Sequence, residues 1–179
     1  MTSNTPKAKA KLYYYGAAGR ANMIRLTLAA SGIEWDDIKP AAFPPTPEEK
    51  AHWRSIGKNT TTNIPMLVTP DGKVYSQSTA VLRAVARMGK LFPDTEEDNE
   101  YELYLVDKIM ADADDLRSVA YGTFVNWGAS QESADAFIDT TLELHLGNLE
   151  RQLEGEYFVG DKMSVVDISV YDAVMSFGI

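Results

Sequence analysis

The sequence NIPMLVTPDGKVYSQS, residues 63–78, has the pattern of a β-hairpin followed directly by the start of a helix. An apolar strand over residues 65–69 is followed by Pro70-Asp71-Gly72, a turn in which the glycine tolerates a positive φ. Residues 73–75 then form the returning strand. Apolar residues at helical spacing beyond Thr79 predict a helix that covers this hairpin.

Toward the N-terminus, the chain has the pattern of a β-α-β unit. The aromatic and apolar residues 12–15 predict a strand, and the glycine-rich residues 16–19 end it. A helix follows and stops at Gly32, and residues 33–38 predict a second strand. The proline-rich residues 39–47 are predicted to lack regular structure. A β-α-β unit makes its strands parallel and a hairpin makes them antiparallel, so we expect one small mixed sheet covered by helices.

The best candidate for a domain boundary is the stretch of residues 91–99, where LFPD precedes an acidic run. We expect residues 1–10 to form a mobile tail and residues 11–90 to form the α/β domain. Residues 91–99 are then a linker, and residues 100–179, which have helical periodicity throughout, form an all-helical second domain.

Three helical patterns support the second domain. Apolar residues recur at intervals of three and four along a first long helix and again along a second. The first set is Val106, Ile109, Ala113, Leu116 and Ala120, and the second is Leu142, Leu146, Leu149 and Leu153. Ser164 and Asp167 form a capping box at the start of a third helix that is apolar on all sides. Such a helix needs neighbours on every side, so we expect the native protein to continue beyond Ile179 with further helices.

Composition excludes several classes of function. The net charge of −9 repels phosphate backbones and anionic lipids, so we expect no nucleic-acid partner and no membrane partner. The chain has no cysteine, which excludes disulfides, thiolate metal ligands and a catalytic cysteine. Any thiol in its chemistry must arrive on a ligand. No signal peptide is apparent and no stretch approaches the roughly 18 apolar residues of a membrane span, which predicts a cytoplasmic protein.

Metal and nucleotide sites are also disfavoured. His52 and His145 are the only histidines and fall in different predicted domains. The acidic residues 111–115 lack the glycine of a calcium loop, so we interpret them as a solvated helix face. Residues 16–19, GAAG, do not match the GxGxxG pattern of dinucleotide sites. We therefore expect no metal.

Four separated motifs resemble the cytosolic glutathione S-transferases, most closely the tyrosine-type sigma-like and alpha-like branch. They are KLYYYGAAGRA at residues 11–21, NIPML at 63–67, YSQS at 75–78, and VGD with SVVD within 159–167. The resemblance implies a thioredoxin-like βαβ-ββα domain followed by an all-helical domain. It also implies a homodimer that uses glutathione as cosubstrate and conjugates it to small electrophiles in detoxification. Isomerisation and peroxide reduction are further activities that the resemblance allows.

The resemblance gives catalytic roles to Tyr14 and Arg20. A free thiol, with a pKa of about 8.5, is only a few per cent ionised at neutral pH, so the enzyme must stabilise the thiolate. Tyr14 would donate a hydrogen bond to the sulfur and Arg20 would supply a nearby positive charge. Strand alternation would send Tyr13 and Tyr15 to the opposite face from Tyr14. The alternative is that all three tyrosines are ordinary strand aromatics.

The resemblance also implies a set of glutathione-binding residues. They are Trp53, Lys58, Asn63, Ile64, Pro65, Gln77 and Ser78. A cis Ile64–Pro65 bond would turn the Ile64 backbone outward to pair with the cysteinyl unit like an added strand. Gln77 and Ser78 would offer a helix N-terminus to the γ-glutamyl carboxylate, and Trp53 with Lys58 would hold the glycyl carboxylate. The alternatives are a trans proline that opens an edge strand and plain N-capping by Ser78.

Further residues follow from the same resemblance. Asp115 matches an acidic residue that reaches the glutathione ammonium of the other subunit. The electrophile pocket would draw on Tyr15, Gly16, Ser118 and Tyr121. The alternative function is a non-catalytic relative, either a crystallin-like structural protein or a protein-interaction module, although such a protein has no reason to keep a whole ligand site.

Overall fold

The computed structural model describes residues 8–59, 61–93, 99–124 and 130–175. The chain divides into two compact units, Met1–Leu91 and Phe92–Ile179. Among the described residues, no helix has the length and apolar character needed to cross a membrane.

The first unit contains a four-stranded mixed sheet in the order β2-β1-β3-β4. The strands are β1 (Ala10–Tyr13), β2 (Trp35–Ile38), β3 (Met66–Val68) and β4 (Val74–Ser76). Strand β1 pairs parallel with β2 and antiparallel with β3, and β3 and β4 form the hairpin. The predicted combination of a parallel unit with an antiparallel hairpin is confirmed.

Three α-helices lie in the described part of the first unit. They are α1 (Asn22–Ala30), α2 (Pro47–Ser55) and α3 (Ser78–Met88). Helix α2 begins with a complete capping box, in which the Thr46 hydroxyl accepts from the Glu49 N–H and the Glu49 carboxylate accepts from the Thr46 N–H. Helix α3 begins at Ser78, one residue before the predicted start near Thr79.

The core of the first unit joins the sheet to α1 and α3. Its fully buried large side chains are Leu12, Ile24, Leu28, Met66, Leu67, Val81, Leu82 and Val85. Burial of each such side chain stabilises the fold by roughly 1.5–3 kcal/mol. The alternation within β1 places Ala10 and Leu12 in this core.

The end of β1 corrects the sequence prediction of a strand over residues 12–15. The strand ends at Tyr13, so Tyr14 and Tyr15 lie beyond its last ladder residue. The Tyr14 N–H still donates to the Ile38 carbonyl at 3.1 Å, and the chain then turns toward α1. Strand alternation therefore does not set the directions of the Tyr14 and Tyr15 side chains.

The regular secondary structure of the second unit is all helical among its described residues, and residues 151–164 form turns and loop. Its helices are α4 (Glu100–Phe124), α5 (Gln131–Ala136), α6 (Glu143–Glu150) and α7 (Val165–Met175). A π-helical segment, Phe137–Leu142, joins α5 to α6. The predicted apolar stripe of α4 is confirmed, since Val106, Ile109, Ala113, Leu116 and Ala120 are all buried.

Two details of the helical prediction are wrong. Leu153 was assigned to the second leucine stripe, but it lies beyond the end of α6 and is 43% exposed. The helix that is apolar on all sides includes Tyr171 and predicts its burial, but Tyr171 is 56% exposed. The remaining apolar residues of α7 are largely buried, including Val165, Val166 and Ala173.

Helix α7 is anchored at its start and along its length by polar bonds. The predicted capping box is present, because the Asp167 carboxylate accepts from the Ser164 N–H at 2.7 Å while the Ser164 hydroxyl accepts from the Val166 N–H at 3.2 Å. A buried arginine on α4, Arg117, donates to the Ser169 carbonyl at 3.0 Å and forms an ion pair with Asp172. This pair ties α4 to α7 and was not predicted.

Candidate active site

The first unit contains a cavity of about 430 Å³. Its walls come from the segments around α2, the start of β3 and the start of α3. The lining residues are Tyr15, Arg20, Pro45, Lys50, Trp53, Thr62, Asn63, Ile64, Pro65, Gln77 and Ser78. The structure thus brings together eight of the residues expected from the sequence, and it adds Pro45, Lys50 and Thr62.

The Ile64 backbone supplies a peptide edge inside this cavity. The Ile64–Pro65 bond is cis, which confirms that prediction. Strand β3 begins at Met66, so Ile64 precedes the residues that pair with β1 and β4. Among the residues that the structure describes, nothing forms a hydrogen bond with the Ile64 backbone. Its N–H and C=O are therefore available to an extended peptide, as at the edge of a sheet.

The start of α3 forms the second polar wall. Gln77 is the N-cap residue, and its φ of +73° lies in the left-handed region, which is uncommon for a residue with a side chain. A backbone held in such a conformation costs about 1–3 kcal/mol and is found preferentially at ligand sites. The Gln77 side chain forms no capping bond, and the first N–H groups of a helix lack intrahelical acceptors. These features suit the binding of an anion.

Tyr14 lies immediately beside the cavity wall and is not itself among the lining residues. Its hydroxyl oxygen accepts a hydrogen bond of 3.0 Å from the backbone N–H of Arg20, which does line the cavity. Because the oxygen acts as the acceptor in that bond, the hydroxyl proton remains for donation to another group. Gly19, with φ of +44°, makes this approach possible, since a Cβ there would lie 2.6 Å from the Tyr14 hydroxyl oxygen.

Arg25 on α1 holds the turn that follows Tyr14. Its guanidinium donates to the Tyr15 carbonyl at 3.0 Å and to the Ala17 carbonyl at 2.9 Å, and it pairs with Asp37 at 3.0 Å. The same group lies 5.9 Å from the centre of the Tyr14 ring. Sequence reasoning missed Arg25, because nothing distinguishes it from a solvated helix charge until the chain path brings Asp37 beside it.

Tyr15 packs against Tyr14, which contradicts the expectation that the two rings lie on opposite faces. Their rings meet edge to face with centres 5.4 Å apart, and Tyr15 meets Phe43 in the same way at 5.3 Å. Burial raises the pKa of the Tyr15 hydroxyl, and the nearby Tyr14 and Glu49 raise it further. Tyr15 therefore stays protonated at neutral pH and is a second phenol at this edge of the cavity.

The charges on the cavity wall are all positive. Arg20 and Lys50 are the ionised residues that line it, and no carboxylate does so within the described part of the chain. Lys50 has no ion-pair partner among those residues. Lys50 lies three positions before Trp53 on α2, and residues three apart share a helix face. This spacing was the sequence signal that could have identified Lys50 as a cavity residue.

The expected set also includes Lys58, Gly16 and three residues of the second unit. The Lys58 side chain is outside the described part of the structure. Gly16 is not a lining residue; it is exposed, and the Lys39 side chain lies near it. Asp115, Ser118 and Tyr121 lie three residues apart on α4 in the second unit, where the first two are exposed and Tyr121 is half-buried. No group of three or more potential metal ligands occurs among the described residues.

Comparison with known proteins identifies the family. Residues 10–87 match the family model described as "Glutathione S-transferase, N-terminal domain", and residues 114–178 match "Glutathione S-transferase, C-terminal domain". The chain is 30% identical over 169 residues to glutathione S-transferase P 2 of Bufo bufo, which covers 91% of this chain and 74% of that protein. It is 29% identical over 174 residues to glutathione S-transferase A4 of Mus musculus, with 94% and 73% covered.

Solved structures show the same fold. The sigma class enzyme of Fasciola hepatica is 25% identical, with a TM-score of 0.71, and the match covers 93% of this chain and 78% of that one. A glutathione S-transferase of Necator americanus that is described as monomeric is 22% identical, with a TM-score of 0.75 and coverage of 96% and 82%. These matches confirm the thioredoxin-like domain and the helical domain. The chain belongs to the glutathione S-transferase family.

Proposed function

We propose that this protein transfers glutathione to small electrophiles and that Tyr14 stabilises the attacking thiolate. The observation that carries the proposal is a cavity lined by two cations and by the unpaired backbone edge of Ile64. Glutathione is a tripeptide with two carboxylates, so it needs both features from a receptor. Membership in the glutathione S-transferase family supports the same conclusion.

The cysteinyl unit and both carboxylates of glutathione each have a matching group in the cavity. The Ile64 backbone pairs with the cysteinyl unit, and the start of α3 at Gln77 and Ser78 receives the γ-glutamyl carboxylate. Lys50 and Trp53 receive the glycyl carboxylate, with Asn63 beside them. Lys58, which the sequence resemblance assigned to this carboxylate, remains a candidate for the same role.

The chemistry requires a modest change in thiol acidity. Lowering the thiol pKa by about two units makes the thiolate the majority form at neutral pH, and this corresponds to roughly 2.7 kcal/mol. The Tyr14 hydroxyl proton donates to the sulfur, while the Arg20 N–H holds the hydroxyl oxygen in place. The positive charge of Arg20 favours the thiolate further. The thiol proton passes to solvent, the sulfur forms a bond to the electrophilic carbon, and the leaving group departs with the electrons of the bond that breaks.

A titration of bound glutathione tests this proposal. The thiolate absorbs in the ultraviolet, so its absorbance against pH gives the thiol pKa. We expect Tyr14→Phe to bind glutathione with nearly unchanged affinity and to raise the thiol pKa by about one unit or more, because only the bond to the charged form is lost.

Two control variants locate the effect. Tyr13→Phe removes a hydroxyl from β1 and should leave the thiol pKa unchanged. Tyr15→Phe tests whether the second phenol takes part. An unshifted thiol pKa in Tyr14→Phe together with a raised one in Tyr15→Phe would transfer the role to Tyr15. If the wild-type protein binds glutathione but forms no thiolate, it is a non-catalytic relative.

Further parts of the proposal concern the cellular role, the location and the assembly of the protein. We assign the protein to detoxification in the cytoplasm and to a homodimer in which Asp115 reaches the glutathione ammonium of the other subunit. Isomerase and peroxidase reactions use the same thiolate and are included as side activities. Cell fractionation and assays with the corresponding substrates test these parts one by one.

A further inference from the structure

The segment of residues 39–46, between β2 and α2, has no regular secondary structure but is held at both ends. One oxygen of the Glu49 carboxylate accepts from the Ala41 N–H at 2.7 Å, and the other accepts from the Thr46 N–H at 2.9 Å. The Thr46 hydroxyl in turn accepts from the Glu49 N–H at 3.2 Å. The side chains of this segment are therefore presented from an anchored backbone.

Two of these side chains flank the turn that follows Tyr14. The Phe43 ring is 78% exposed and packs edge to face against Tyr15, which lines the cavity. The Lys39 side chain lies near the exposed Gly16, because a Cβ on that glycine would lie 3.6 Å from the Lys39 ammonium nitrogen. An exposed aromatic ring and an ammonium group thus lie near two consecutive residues, Tyr15 and Gly16.

Three carboxylates of the neighbouring elements β2 and α2 are already engaged. Asp36 pairs with Lys9 at 3.7 Å and Asp37 pairs with Arg25 at 3.0 Å, while Glu49 binds backbone N–H groups. Among the described residues, none forms an ion pair with Lys39. The positive charge of Lys39 is therefore available to an anionic group on a ligand.

We propose that Lys39 and Phe43 select electrophiles that combine a planar apolar body with an acidic group. The planar body packs against Phe43 and Tyr15, and the acidic group lies against the Lys39 ammonium. This inference rests on the proposed function, because Tyr15 adjoins Tyr14, which stabilises the thiolate. It assigns a substrate class to that same site.

A matched pair of aryl chlorides isolates the charge. The probes are 4-chloro-3-nitrobenzoate and 4-chloro-3-nitrobenzamide, which share the reactive carbon and differ in the charged group. The glutathione sulfur forms a bond to the ring carbon that carries chlorine, the carbon–chlorine bond breaks, and chloride leaves with the bonding electrons. No oxidant or reductant is needed.

The measured quantity is the ratio of kcat/KM for the benzoate to kcat/KM for the benzamide. We expect Lys39→Met to lower this ratio by about three- to fivefold, as for the loss of one exposed ion pair, and Lys39→Arg to restore it. The wild-type preference should also shrink at high salt. Phe43→Leu should lower kcat/KM for both probes. Lys11→Met, which removes the same charge from β1, should keep the wild-type ratio.

The outcomes separate this inference from the proposed function. Conjugation of both probes with a ratio that Lys39→Met leaves unchanged overturns the inference alone. A fall in the ratio that Lys11→Met reproduces also overturns it, because the effect then belongs to net charge. If the wild-type protein neither binds glutathione nor conjugates either probe, the proposed function fails and this inference fails with it.

Discussion

Gly19 is the residue on which the position of the Tyr14 hydroxyl depends most directly. A Cβ at this position would lie 2.6 Å from the hydroxyl oxygen, and the φ of +44° disfavours any side chain. We expect Gly19→Ala to displace the hydroxyl, raise the thiol pKa of bound glutathione and lower kcat at least tenfold, the effect of losing about 1.4 kcal/mol of thiolate stabilisation. Thiolate absorbance and steady-state kinetics measure the two effects.

Gly32 provides the matched control for this substitution. Its φ of +63° imposes the same kind of backbone strain, but a Cβ there would have no atom within 4 Å. We expect Gly32→Ala to destabilise the fold by about 1–2 kcal/mol while the thiol pKa stays at the wild-type value. A wild-type thiol pKa in Gly19→Ala would show that the Tyr14 hydroxyl does not control the thiol.

Lys50 and Lys58 are the two candidates for binding the glycyl carboxylate of glutathione. Lys50 lines the cavity without an ion-pair partner among the described residues, whereas Lys58 was assigned by resemblance. We expect Lys50→Met to raise KM for glutathione about fivefold with little change in kcat, because the lost contact binds the ground state and the transition state equally. Initial rates at varied glutathione concentration measure both constants. A larger increase in KM for Lys58→Met than for Lys50→Met would show that Lys58 binds the glycyl carboxylate instead.

At the scale of elements, Glu49 couples helix α2 to the 39–46 segment. Hydrogen bonds from the Ala41 and Thr46 N–H groups lower the pKa of its carboxyl below the ordinary value of 4.5. A lowered folded-state pKa means that the stabilisation is fully present above the ordinary value and is lost as pH falls through the lowered one. Acid should therefore loosen the start of α2 together with the segment that carries Phe43.

The variant Glu49→Gln tests this coupling. At neutral pH it should be less stable than the wild type, because an amide accepts these two bonds less strongly than a carboxylate. The difference should disappear as the pH falls through the lowered pKa, where the wild-type carboxyl is itself protonated. Urea unfolding followed by tryptophan fluorescence over this range measures the effect. A difference that does not vary with pH would exclude ionisation as its cause.

At the scale of the whole molecule, the open question is assembly. The Necator americanus structure described as monomeric shows that the fold itself does not require a dimer. We nevertheless expect a homodimer, because Asp115 is exposed on α4 and the family resemblance gives it a role in the neighbouring site. Sedimentation should give twice the chain mass of 19.8 kDa.

Asp115→Ala separates assembly from site sharing. In a homodimer with shared sites, this variant should weaken glutathione binding while the sedimentation coefficient stays the same. A monomer in which Asp115→Ala binds glutathione with unchanged affinity would contradict both parts of the expectation.

Local patterns in the sequence were sufficient to predict the mixed sheet and the helical second domain, and the family resemblance added the thioredoxin-like fold. The hairpin turn at Gly72, the apolar stripe of α4 and the capping box of Ser164 and Asp167 were all confirmed. Each depends on residues within about four positions of one another, where helix periodicity and turn geometry act directly. The residues gathered at the cavity from α2, from the segment before β3 and from the start of α3 were predicted for a different reason, because the family resemblance supplied them together.

Tertiary structure alone decided how the catalytic turn is built. The end of β1 at Tyr13, the contact between Tyr14 and Tyr15, and the bonds from Arg25 depend on where the chain brings Asp37 and Phe43. Asp37 is 12 residues from Arg25, and Phe43 is farther still from Tyr15, so both contacts are beyond the reach of a local pattern. Hydrogen bonds and ring contacts of this kind form only once the sheet and α1 have packed, so their residues carry no sequence signal of their own.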